Sequence, residues 1–223
     1  MELMAIFPIP NTVCFPESTT PLHIFEPRYR KMAKDCIQKS LPMAVSLPES
    51  ILSEGPMRQQ SLADALNSNQ ATFQPKSVFC GGPVRISQML PDGRLMITVK
   101  TRNRYRLVKL QQELPYFVGQ VEALQDQAPK DMHLNKALFK ELWSLSEKVL
   151  GERINLLRSH IPDEIFASQD LSRLSFYTLH WLTLEPEAAQ WCLETTDPFA
   201  RCETIIDRLQ SHYELHSSIT DNP

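Results

Sequence analysis

The chain has 223 residues, of which 42% are hydrophobic and 22% charged, an ordinary balance for a chain that can remove roughly 70% of its unfolded surface from water. A formal net charge of −3 excludes a generally basic nucleic-acid coat, although a local basic patch stays open. No run of about 18 apolar residues exists to span a membrane as a helix, and Glu2 opens a start with no basic stretch leading into an apolar one, so no secretory signal is read.

In chain order, apolar runs at 3–7, 12–15 and 20–24 are divided by Pro8, Pro10, Asn11, Pro16 and Pro21. Prolines at this density forbid a helix and confine the runs to short strands. A helix is then predicted over 26–39. Tyr29, Met32, Ala33, Cys36 and Ile37 recur at helical spacing on one face, and Pro27 suits the first turn. Arg28, Lys31 and Lys34 fall off that stripe and read as a solvated face.

Residues 48–76 turn polar and read as a long connection, with one helical turn at Leu62, Ala65 and Leu66. Such a connection is a functional or a mobile loop. Gly81-Gly82-Pro83 reads as a turn or bulge, since proline removes a donor that a phosphate would need. Pro91-Asp92-Gly93 separates 84–90 from 94–100 and predicts a hairpin. Further strands fit 105–110 and 116–123.

After Pro129 the period becomes helical. Leu134, Leu138, Leu142, Leu145 and Val149 mark a first helix, ended by Gly151. A second helix is expected near 171–184. A third starts at Asp197-Pro198, with Phe199, Cys202, Ile206, Leu209 and Tyr213 along it. The expected class is therefore α+β: a β-rich domain over 1–125 with one inserted helix, a helical bundle over 126–216, and a frayed tail over 217–223.

Chemistry is sparse. The six glycines form no phosphate loop, and no nucleophile elbow occurs. In His212-Tyr213-Glu214-Leu215-His216 the glutamate sits midway between the histidines and points off a metal face, so neither metal nor cofactor is expected. Cys14, Cys36, Cys80, Cys192 and Cys202 are odd in number and scattered. They read as buried free thiols of a reducing compartment, which makes the cytoplasm the expected location. One stretch stands out. Along 94–108, Leu95, Ile97, Val99, Tyr105 and Leu107 share one parity, while Lys100, Arg102, Arg104 and Arg106 share the other. An unbroken register would line four cations on an outer face. Arg102, Arg104, Tyr105 and Arg106 are the candidate binding residues, for phosphates or acidic peptide segments. The competing reading is a basic strand that resists edge aggregation.

The opening Phe7-Pro8-Ile9-Pro10-Asn11, then Phe15-Pro16, then the run from Pro21-Leu22-His23-Ile24-Phe25 to Glu26-Pro27-Arg28-Tyr29-Arg30 resembles the N-terminal domain of the Lon ATP-dependent protease. Leu90-Pro91-Asp92-Gly93-Arg94, Arg104-Tyr105-Arg106-Leu107 and Pro115-Tyr116 fit the same family in the same order. The resemblance implies a PUA-like pseudo-barrel filled by Phe7, Phe15, Leu22 and Phe25, then a helical bundle. It also implies recognition of unfolded protein, as in the Lon region that binds substrates and helps assemble the ring, and in the similar domain of cereblon. Thr101 stands where the family usually has glycine, and Gly82-Pro83 replaces glycine and a small polar residue. The chain ends where Lon continues into its ATPase and serine–lysine protease domains, so neither activity is expected. The expected function is a non-catalytic module for unfolded or flexible protein segments, an adaptor or chaperone-like factor with a groove near 26–39 or 48–76. The alternative is an RNA-binding module using the arginine-rich strand.

Overall fold

The structure, a computed structural model, describes the backbone of residues 1–55 and 61–220 and all their side chains but those of 62, 63, 65 and 215–220. It is α+β and divides into two compact units, Met1–Leu124 and Gln125–Pro223.

In the first unit, β1 (Glu2–Pro8), β10 (Phe117–Ala123), β9 (Asn103–Gln112), β6 (Val78–Gly82) and β3 (Met43–Ser46) close a barrel in that order. β3 runs parallel to β1, and the other barrel pairings are antiparallel. Its core is Met4, Ile6, Ala44, Phe79, Tyr105, Phe117 and Val121, where each large side chain contributes about 1.5–3 kcal/mol by leaving water. The side chains expected there, Phe7, Phe15, Leu22 and Phe25, are not in this cluster. Phe15 is buried outside this cluster, and Phe7, Leu22 and Phe25 are only half-buried. Phe7 packs on Tyr29 of α1 (Pro27–Gln38), ring centroids 4.2 Å apart.

A second sheet holds β2 (Ser18–Ile24), β8 (Leu95–Thr101) and β7 (Val84–Met89). The Pro91-Asp92-Gly93 turn joins β7 to β8: Gly93 N–H donates to Leu90 O at 2.9 Å, and φ of +88° uses the freedom of glycine. Together β6, β7, β8 and β9 form one long hairpin whose two halves belong to different sheets. It bends at Pro83 on one arm and Arg102 on the other. Gly82 permits the bend, because a Cβ there would sit 1.9 Å from Lys100 O.

Residues 12–15 form no strand; Asn11 and Glu17, both at positive φ, flank them. The connection over 48–76 carries β4 (Pro48–Ser53), α2 (Leu62–Asn67) and β5 (Thr72–Pro75), with β4 and β5 making a two-stranded sheet. Lys76 N–H donates to Leu47 O at 2.9 Å, closing the base of this arm.

The second unit is helical. It comprises α3 (Met132–Leu150), a 3-10 turn (Gly151–Arg153), α4 (Ile154–His160), α5 (Asp163–Ser168), α6 (Leu171–Leu179), α7 (Pro186–Glu194) and α8 (Pro198–Thr220). The Asp131 carboxylate caps α3 by accepting from His133 and Leu134 N–H. Of the tail expected to fray, 217–220 continue α8 and 221–223 lie outside the described residues. Among the described residues no helix is long and apolar enough to cross a membrane.

Candidate functional site

The hairpin bend decides where the basic residues go. Thr101 ends β8 fully buried, with Oγ1 donating to Phe15 O at 2.8 Å. Arg102 lies at the crossing, exposed, and its backbone N–H donates to Gly81 O at 3.1 Å. Entry into β9 breaks the even-odd pattern. Arg104 pairs across the barrel wall with Cys80 and is buried, 4% exposed, while Tyr105 opposite Phe79 joins the barrel core. Arg106 is exposed beside Glu122 of β10. The expected outer face of four cations is therefore corrected. Arg102 and Arg106 reach the surface, and Arg104 and Tyr105 do not. The parity argument failed because β8 and β9 belong to different sheets, and each buries its own face.

Arg28 is the second correction. Read as a solvated charge, it is buried against Glu26 at 2.9 Å. Its guanidinium donates to Ala71 O at 2.7 Å, Gln70 O at 3.3 Å and Thr72 Oγ1 at 2.6 Å. Glu26 in turn accepts the Gln70 N–H at 2.9 Å. A planar fork with five donors suits four separate acceptors, Glu26 included, where the three donors of a lysine ammonium would fall short. Arg30 adds a bond to Leu66 O at 2.7 Å. The start of α1 thus fastens the return of the arm at residues 66–72. The arm then presents β4, whose Ile51 and Leu52 are 56% and 54% exposed. Among the described residues β4 pairs with β5 alone, so an extended segment could add to its other edge by main-chain hydrogen bonds. Ile37, expected on the buried stripe of α1, is also exposed.

The helical unit contains a cleft of about 420 Å³. Val149, Leu150, Leu182 and Leu184 provide apolar walls, and Trp181 lies under the Arg153 guanidinium, 5.5 Å from the ring centroid. Arg208, Ser211 and His212, one face of α8, complete it. Nothing in the sequence reading singled it out, because its walls come from α3, α8 and the connection after α6. The sequence marks His212 only as one of two histidines around a misplaced glutamate.

The five cysteines are free and buried. Burial pushes the Cys36 and Cys202 thiols up to about 12, which removes the thiolate that nucleophilic chemistry needs. Among the described residues, no group of three or more metal-ligating side chains is assembled.

A family model described as the ATP-dependent protease La (LON) substrate-binding domain matches residues 4–211. A Lon protease of Desulfovibrio desulfuricans is 28% identical over 144 residues, covering 63% of this chain and 16% of the relative. A Lon protease of Dictyoglomus thermophilum is 20% identical over 221 residues, covering 96% of this chain and 25% of the relative. The chain thus spans a quarter or less of the length of these curated relatives. Among solved structures, the N-terminal domain of a Mycobacterium avium complex Lon protease aligns with a TM-score of 0.66 at 15% identity, covering 95% of this chain and all of that one. A Lon N-terminal domain protein from Xanthomonas campestris aligns at 0.55 and 18% identity, covering 93% and 98%. At these identities the structures establish the shared fold.

Proposed function

We propose that this chain, which belongs to the ATP-dependent protease La (LON) substrate-binding domain family, holds exposed, flexible segments of other proteins as an adaptor or chaperone-like factor in protein quality control. The observation that carries the reading is the family match, which runs through both units from residue 4 to 211. The β4 edge supports it, since an edge strand with apolar side chains at consecutive positions suits an extended segment of many sequences. Five buried free thiols fit action in a reducing compartment such as the cytoplasm. The nucleic-acid reading is weaker, because Arg104 is buried and Tyr105 offers no exposed ring for base stacking.

The test is binding of fluorescently labelled, reduced and carboxymethylated lactalbumin, followed by anisotropy. Saturable binding to the unfolded probe, weakened by Ile51→Lys with Leu52→Lys, is the expected result. Equal binding of the native folded probe, or no saturable binding, would overturn the proposal.

A further inference from the structure

We infer that the cleft of the helical unit is a subsite for a large apolar side chain followed by a carboxylate, so that apolar segments with acidic flanks are the substrate class; this rests on the protein-binding reading above. Two features of the cleft point the same way. Its walls are aliphatic with one indole, and its volume of about 420 Å³ lies within the roughly 300–1,000 Å³ of pockets that take small ligands. The charged groups lining it are Arg153 and Arg208, with the His212 imidazole beside them and no acidic side chain among the described residues. Neither Arg153 nor Arg208 is in an ion pair among the described residues. Arg153 instead lies over Trp181, which fixes a cation at the lip of an apolar wall.

An opposing field exists. The C-terminal ends of α3 and α6 lie beside the cleft, and helix C-termini carry about half a negative charge. At α3 the Gly151 N–H already satisfies Glu147 O, and Arg153 lies within three residues of the last turn. Full cations on two sides outweigh partial charges whose influence fades within one turn. Glu152, Glu185 and Asp207 are exposed chain neighbours of the cleft, but none lines it. The net field favours an anionic occupant.

The experiment uses the whole chain and short labelled peptides in which a Leu-Phe pair is followed by glutamates, glutamines or lysines. Anisotropy titrations should rank glutamate above glutamine above lysine. Exposed charge pairs of this number give about a five- to tenfold span, which should shrink as salt rises. Arg153→Glu with Arg208→Glu should abolish or invert the ranking while binding of unfolded lactalbumin persists. Equal affinity for all three peptides, or an unchanged ranking in that variant, would overturn the inference and leave the protein-binding reading standing. Failure of both peptides and lactalbumin to bind would overturn both. A single-stranded oligonucleotide that outcompetes the glutamate peptide, and is lost in the same variant, would overturn the inference by giving the cleft to nucleic acid.

Discussion

At Arg28 and Glu26 two charges leave water together, and each needs the other to remain there. Removing one partner of such a buried pair costs about 3–5 kcal/mol, because the remaining charge is uncompensated. Arg28→Ala should therefore lower the urea midpoint sharply and expose the arm over 48–76 to limited proteolysis. Arg28→Lys keeps the charge but not the fork to Gln70, Ala71 and Thr72, so the arm should still be cut faster than in the parent. A lysine variant as protected as the parent would refute the latch. Asp35 provides the pH-sensitive counterpart. The Tyr116 hydroxyl donates to its Oδ2 at 2.6 Å and, with Lys31, holds the carboxyl below its ordinary 3.8 against the opposing effect of burial. A depressed carboxylate stabilises the fold fully above the unfolded value, and that stabilisation fades as pH falls through the folded one. The stability difference between the parent and Asp35→Asn should thus be largest near neutrality and shrink below about pH 4. Urea midpoints at pH 7 and pH 3 decide it; an undiminished gap at the lower pH would contradict the assignment.

At the level of elements, the legible parts were those with a strong local period or a strong breaker. The hairpin of β7 and β8, helix α1, and the start of α8 at Asp197-Pro198 all carry such signals and stand as expected. Helices α4 and α5, seven and six residues long, are shorter than the window over which a helical period emerges, and α7 carries no expected helix either. β4 is mostly exposed and shows no alternation, so nothing in its local sequence marks a strand. The candidate site was less legible still. Arg28 finds its acceptors more than 40 residues away, and the hairpin bend at Gly82-Pro83 redirects Arg104 inward. That bend gives a test of its own. Gly82→Ala forces a Cβ onto Lys100 O at 1.9 Å, a backbone clash that should cost at least the upper part of the roughly 1–3 kcal/mol range for overpacking. Thr101→Val, which removes the hydroxyl bonded to Phe15 O and Ser18 O, leaves carbonyls short of a donor and should cost about 1–3 kcal/mol. Circular dichroism during urea unfolding measures both, and a neutral Gly82→Ala would show that the two strands have room to part.

For the molecule as a whole, the second unit depends on a charge with no exposed surface. Arg201 is 0% exposed and bonds Asp126, the Ser175 hydroxyl at 2.9 Å and Thr195 O at 2.7 Å, with the Phe176 ring 4.0 Å beneath its guanidinium. Asp126 also accepts from the Ser172 hydroxyl, so the segment that opens this unit is tied to both α6 and α8. All three tryptophans of the chain, Trp143, Trp181 and Trp191, lie within 125–223, which makes indole fluorescence a reporter of this unit by itself. Arg201→Ala strands the Asp126 carboxylate and should lower the fluorescence-detected stability by about 3–5 kcal/mol. Replacing the pair by apolar residues of similar volume, Arg201→Met with Asp126→Leu, removes the stranded charge. It should recover most of that loss, since such exchanges are often neutral or stabilising by about 1–4 kcal/mol. If the double variant is no more stable than Arg201→Ala, the bonds to Ser175 and Thr195 carry the stability, and charge pairing with Asp126 is secondary.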